Sequence, residues 1–298
     1  MPKWYNHTAL AILRRQGFRQ DSFKLSNSPV YYLVGGPEDG PRISILPGYS
    51  DTIFSWGIIL AKLAAQGYRV FALDPPGYMG FSPRPRQKTK MVFRDQERVA
   101  EMFLCEVTGR SDYIMGNSLG GWMGFRLAIK HPERIGHLIA INPGGIFTTA
   151  EEYLRIRKFY AIESYSDYMA LMRRLWGRIP LYFHLFSALG VYRFTRQPQY
   201  GDVLRSIGRS HFLNKHLSKI NLPVSVIWGQ KDQLFGEHMA KKFIELLPNA
   251  KYFPVRNAGH MPHLESPYTF FQIMDEILEK SAKQESAWLK FAFERSQD

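Results

Sequence analysis

Tyr113-Ile114-Met115-Gly116-Asn117-Ser118-Leu119-Gly120-Gly121-Trp122 is a short apolar run that breaks into glycines around a serine, then resumes as a helical pattern reaching Lys130. The order is strand, Gly-x-Ser-x-Gly, helix. A turn this sharp holds the serine in a strained backbone conformation, and neighbours without side chains let strand and helix approach closely. The hydroxyl is left exposed at the sheet's edge. The start of the following helix turns free N–H groups and the positive end of its dipole toward any negative charge that develops there. Ser118 is therefore the candidate nucleophile.

Outward from this turn, β-rich runs alternate with helical patterns, the signature of a mostly parallel sheet covered on both faces. The strands are expected at Val30 to Val34, Arg42 to Leu46, Arg69 to Leu73, Asp112 to Met115, Ile135 to Ile141, Val224 to Trp228 and Lys251 to Val255. Helices are expected at Trp56 to Gln66, Met91 to Val107, Leu119 to Lys130, Gly236 to Leu247 and Pro267 to Lys280. The rhythm breaks between about Phe147 and Ile220, where arginines and aromatics crowd helical patterns and no buried strand is evident. An insertion after the strand at Ile135 to Ile141 accounts for this.

A neutral serine is a weak nucleophile and needs a base, for which an imidazole with a pKa near 7 is suited. His260 stands in Asn257-Ala258-Gly259-His260, directly after the last expected strand. His263, three residues on, falls where the closing helix begins. Read as metal ligands, the two histidines have no supporting His-Glu-x-x-His pattern, and Cys105 is the only cysteine. Asp232 ends Trp228-Gly229-Gln230-Lys231-Asp232 after the neighbouring strand, where its carboxylate can fix the tautomer of His260 and stabilise the imidazolium.

With these pieces in place, residues 42–280 resemble the α/β-hydrolase superfamily. The order Ser118, Asp232, His260 is the family's order, and Asp74 and Asp51 lie too early in the chain to be the acid. Asp74-Pro75-Pro76-Gly77-Tyr78-Met79-Gly80-Phe81-Ser82 looks like the family's D-x-P-G-x-G-x-S loop with one extra residue between its glycines, and His131-Pro132-Glu133-Arg134 is similar to its H-P-E-R-V turn. The resemblance implies an eight-stranded, mostly parallel sheet with helices on both faces. Residues 1–146 and 221–298 would form the core and residues 147–220 a helical cap. It also implies an oxyanion hole formed by the backbone N–H groups of Tyr49, in Leu46-Pro47-Gly48-Tyr49, and Leu119. Relatives usually have His-Gly where this chain has Pro47-Gly48.

The serine sets the chain apart from epoxide hydrolases and haloalkane dehalogenases, whose nucleophile is a carboxylate. The stretches around residues 217–232 look like monoacylglycerol-lipase-like and bacterial lipase-like members. The elbow looks equally like the C–C bond hydrolases of ring-cleavage pathways, which usually carry Trp after the catalytic histidine, where this chain has Met261. Hydrolysis of a carboxylic ester with a hydrophobic acyl group is the expected function. C–C hydrolysis and a non-catalytic ligand-binding role are the alternatives. Trp176, Phe183, Phe186 and Tyr192 of the cap, with Met261, are the candidate substrate contacts.

Composition agrees with a globular protein: hydrophobic residues make up 45% of 298 residues. The net charge is +13, and residues 147–220 hold twelve Lys and Arg against five Asp and Glu. These charges are dispersed and form no nucleic-acid motif, so nucleic acid is not an expected partner. The N-terminus lacks a secretory apolar core, and no run is long enough to span a bilayer. The expectation is a cytoplasmic monomer or homodimer without cofactor or metal, acting on a small, lipid-like ester, with peripheral membrane contact open to the basic cap. A short apolar-faced helix is expected at Ala287 to Phe293.

Overall fold

A computed structural model describes residues 3–49, 51–78, 80–85, 90–158, 164–180 and 199–278. The expected helix at 287–293 and the end of the helix expected to reach Lys280 lie outside them.

The apolar runs become one eight-stranded sheet. The strands are β1 (Arg19–Leu25), β2 (Ser28–Gly35), β3 (Arg42–Leu46), β4 (Arg69–Leu73), β5 (Ser111–Asn117), β6 (Ile135–Ile141), β7 (Val224–Gly229) and β8 (Ala250–Val255). Their spatial order is β1-β2-β4-β3-β5-β6-β7-β8. From β4 to β8 every pairing is parallel, and β2 joins β4 and β1 joins β2 antiparallel. The register sets Gly116 of β5 between Leu46 of β3 and Ala140 of β6, so the strand carrying the serine turn is central.

Strands covered on both faces read as continuous apolar runs, which explains why β3 to β7 are legible. The two-residue side-chain period divides them: Ile114, Leu138, Ala140 and Val226 join one buried cluster, while Tyr113, Met115, Ile139, Ile141 and Ile227 join the other. The first cluster packs under α3 (Phe93–Met102, continued by a π-helical turn Phe103–Thr108), α4 (Leu119–Lys130) and α8 (Glu237–Leu246). The second packs under α1 (Lys3–Arg15), α2 (Gly57–Ala65) and the closing helix α10, residues 267–278. Phe125 of α4 stacks on Phe243 of α8 with centroids 5.1 Å apart and planes 11° from parallel, tying the two helices together.

β1 and α1 go beyond the expected elements. β1 reads Arg-Gln-Asp-Ser-Phe-Lys-Leu and is largely exposed, as an edge strand is, and a tight turn with Ser26 at φ +56° returns it to β2. Between β6 and β7 the described residues form α5 (Ala150–Lys158), α6 (Tyr165–Leu175) and α7 (Gln199–Arg205), with no strand among them. Ser164 caps α6, its hydroxyl accepting from the Asp167 amide while the Asp167 carboxylate accepts from the Ser164 amide. The remaining short helix, α9 (Pro262–Glu265), precedes α10.

Candidate active site

β5 ends at Asn117, and Ser118 takes φ +54°, ψ −116°, a region L-residues avoid at a cost of about 1–3 kcal/mol. The surroundings hold it there. The Ser118 amide donates to Ile141 O at 2.9 Å, and the Ser118 carbonyl accepts from the Trp122 and Gly144 amides at 3.0 and 3.1 Å. A side chain at Gly116 would run into Gly120 and Gly121, and one at Gly120 into the Leu46 carbonyl, so both glycines are required by close approach. Leu119 is the first residue of α4, where a helix leaves its amides without intrahelical partners.

The Pro47-Gly48-Tyr49 loop lies against this turn. A Cβ on Gly48 would sit 3.0 Å from Asn117 Oδ1 and 3.4 Å from Ser118 Cβ. Tyr49 is half-buried, its ring edge-on to Tyr78 at 5.5 Å. Asp51 anchors the loop: its amide donates to Gly48 O, and its carboxylate accepts from the Thr52 amide, the Ser55 hydroxyl and Trp56 Nε1. Burial pushes the Asp51 carboxyl up against the pull of those donors.

Asp232 and His260 follow β7 and β8, and both are buried. His260 Nδ1 lies 2.7 Å from Asp232 Oδ2. A carboxylate partner assigns the proton to Nδ1, which leaves Nε2 as the basic nitrogen. The carboxylate also accepts from Asn142 Nδ2 at 2.8 Å and from the Leu234 and Phe235 amides at 2.8 and 3.3 Å. The Phe235 ring meets the imidazole edge-on at 5.3 Å. The two loops are laced together, the Lys231 amide donating to Ala258 O at 2.9 Å. Asn117 joins this pair to the serine turn, since its Nδ2 donates to His260 O at 2.9 Å and to Ile141 O at 3.1 Å.

His263 is elsewhere. It stacks on Trp56 at 4.3 Å with planes 22° apart, and burial pulls its pKa down to about 3, so it stays neutral. Of the candidate substrate contacts, Trp176 is buried at the end of α6 and Met261 is half-buried against the core. Phe183, Phe186 and Tyr192 lie outside the described residues. An aromatic cluster connects α4 to the β6–β7 segment: Trp122, one helical turn beyond Ser118, packs on Phe212 at 4.9 Å, and Phe212 meets Phe147 at 4.9 Å and Tyr153 at 5.5 Å.

Asn142 went unread in the sequence. Its backbone has φ +38°, which asparagine tolerates better than most residues, and its Oδ1 accepts from the Gly229 amide at 2.9 Å. A polar residue closing an apolar strand before Pro143-Gly144-Gly145 was the available signal.

The sequence pattern of the Alpha/beta hydrolase family matches residues 45–273, most of the chain. The chain belongs to this family. The matched stretch of the hydrolase contains Ser118, Asp232 and His260. It is 22% identical over 292 residues to monoacylglycerol lipase ABHD6 of Mus musculus, covering 92% of this chain and 85% of the relative. The fold is shared with a bacterial membrane phospholipase A at a TM-score of 0.79 and 22% identity, covering 94% of this chain and 93% of that one. It is shared too with 2-hydroxy-6-oxo-6-phenylhexa-2,4-dienoate hydrolase of Rhodococcus sp. strain RHA1 at a TM-score of 0.72 and 20% identity, covering 89% and 99%. Among the described residues no helix is long and apolar enough to cross a membrane.

Proposed function

We propose that this hydrolase cleaves a carboxylic ester with a hydrophobic acyl group through an acyl-serine intermediate, with Ser118 as nucleophile, His260 as base and Asp232 as its orienting acid. The observation that carries the reading is the buried His260–Asp232 pair, 2.7 Å apart, on loops that Asn117 fastens to the strained Ser118 turn. Ser118 Oγ attacks the carbonyl carbon while its proton passes to His260 Nε2. The oxyanion is met by the amides of Tyr49 and Leu119, donors fixed in place before charge develops. Collapse breaks the bond to the alcohol, which leaves with the proton from His260. Water, deprotonated by the same imidazole, then attacks the acyl carbon and releases the acid.

Residues 147–220 act as a cap that excludes water and selects the acyl group. The aromatic cluster from Trp122 to Tyr153 and the buried Trp176 support an apolar acyl site, as does the similarity to a monoacylglycerol lipase. The basic charge of this stretch suits anionic headgroups at a membrane surface.

A panel of p-nitrophenyl esters of rising chain length tests the reading. Turnover is expected to peak at a medium or long acyl chain and to vanish in Ser118→Ala. A ring-fission dienoate turned over faster than every ester would replace it with C–C hydrolysis.

A further inference from the structure

Glu265, at the end of α9, is used by none of the steps above, yet its carboxylate touches both sides of the candidate base. Oε1 accepts from the Gly259 amide at 3.0 Å and the Met261 amide at 3.2 Å, the two residues that flank His260. Oε2 accepts from the Gly177 amide at 2.7 Å, in the segment that follows α6. One oxygen thus serves the base loop and the other the β6–β7 insertion.

The insertion also meets the same loops through backbone contacts. The last carbonyls of α6, which a helix leaves without intrahelical donors, accept from outside it: Arg174 O from the Gln233 amide at 3.0 Å and Leu175 O from the His260 amide at 2.6 Å. Gly259 makes this approach feasible, because a Cβ there would collide with Leu175 O and with the Gly177 amide nitrogen. The end of α6 is therefore mated to the residue after Asp232 and to His260 itself, and the Glu265 side chain spans the seam.

We infer that Glu265 is a positioning residue: its carboxylate fixes the backbone on either side of His260 and fastens the end of α6 to that loop, coupling the seat of the cap to the aim of the imidazole. The inference rests on the reading of His260 as the base. Three N–H donors face Glu265 and need an acceptor on each oxygen. A glutamine supplies one carbonyl oxygen, and its NH2 group opposes a donor, so Glu265→Gln keeps the shape and breaks one side of the clamp. Burial pushes the Glu265 carboxyl above its usual value against the downward pull of the three amides.

The test compares wild type, Glu265→Gln and Glu265→Asp in three measurements: the thermal midpoint, steady-state kinetics on p-nitrophenyl acetate and a long-chain p-nitrophenyl ester, and the rate of fluorophosphonate labelling. Glu265→Gln is expected to stay folded and to lose kcat and labelling rate by about tenfold to a hundredfold on both esters, the scale of a slightly misplaced catalytic group. KM is expected to rise only for the long ester, which needs the cap. Glu265→Asp, charged but shorter, is expected to lose less kcat. Should Glu265→Gln fail to fold, Glu265→Asp decides, and an unchanged kcat there overturns the inference. Wild-type kcat and labelling in a folded Glu265→Gln also overturn it. A folded wild type that takes up no fluorophosphonate contradicts the triad reading instead, so the two failures are told apart.

Discussion

The side-chain amide of Asn142 donates to Asp232 Oδ2 at 2.8 Å, the same oxygen that lies 2.7 Å from His260 Nδ1. Asn142 directly follows β6 and Asp232 follows β7, so this contact fixes the carboxylate from the end of the neighbouring strand. Asn142→Ala would leave the buried Gly229 amide without its side-chain acceptor and the carboxylate with one donor fewer. A hydrogen bond to a charged group contributes about 1.5–3 kcal/mol. The expected outcome is a destabilisation of that order in urea unfolding, with kcat falling more than KM rises.

His263 offers a test that separates the two histidines. Among the described residues neither of its ring nitrogens has a hydrogen-bond partner, and it lies stacked on Trp56. Phenylalanine keeps the stacking surface and removes the unpaired polar atoms, so His263→Phe is expected to retain kcat and to be as stable as wild type or more so. His260→Phe is expected to be inactive.

The same residue sets part of the acid sensitivity. Its pKa is lowered by burial from 6.5 to about 3, so below pH 6.5 the unfolded chain takes up a proton that the folded one refuses. Stability from this group is present above pH 6.5 and is lost as pH falls toward 3, by at most about 1.4 kcal/mol per pH unit. Urea unfolding across that window should show wild type losing stability faster than His263→Phe. Parallel slopes would contradict the assignment.

Phe125 of the elbow helix stacks against Phe243 of α8. Phe125→Ala removes a fully buried ring from between α4 and α8, and such truncations cost about 3–5 kcal/mol. Equilibrium denaturation is expected to show a loss of that size.

Gly259→Ala examines the seam between α6 and the base loop. Its Cβ would meet the Leu175 carbonyl and the Gly177 amide, backbone atoms that cannot swing aside. The loop bearing His260 must shift, and kcat is expected to fall about a hundredfold in protein that still unfolds cooperatively. An unimpaired variant would show that this contact does not govern the base.

How far the chain could be read follows from where its signals lie. β5, β6 and β7 are buried along nearly their whole length, so Tyr113-Ile114-Met115, Leu138 to Ile141 and Val226-Ile227-Trp228 stand out as apolar runs. Ser118 and Asp232 follow such runs closely, whereas His260 follows β8, whose residues are mostly half-buried or exposed, and all three are candidates by position and chain order. β1 was not legible, because Arg19, Asp21 and Lys24 face solvent on an edge strand and leave no apolar alternation. Asn142 and Glu265 were hidden for another reason. Among their partners, Gly229 and Asp232 for Asn142 and Gly177 for Glu265 lie far along the chain, and pairings made only by folding leave little local pattern.

The most direct measurement is covalent labelling of the purified protein with a fluorophosphonate, followed by intact mass and peptide mapping. One phosphonyl group per chain is expected on Ser118 in wild type, and none in Ser118→Ala of equal thermal stability. A folded wild type that remains unlabelled, or a label mapped to another residue, would contradict the assignment of Ser118 as the nucleophile.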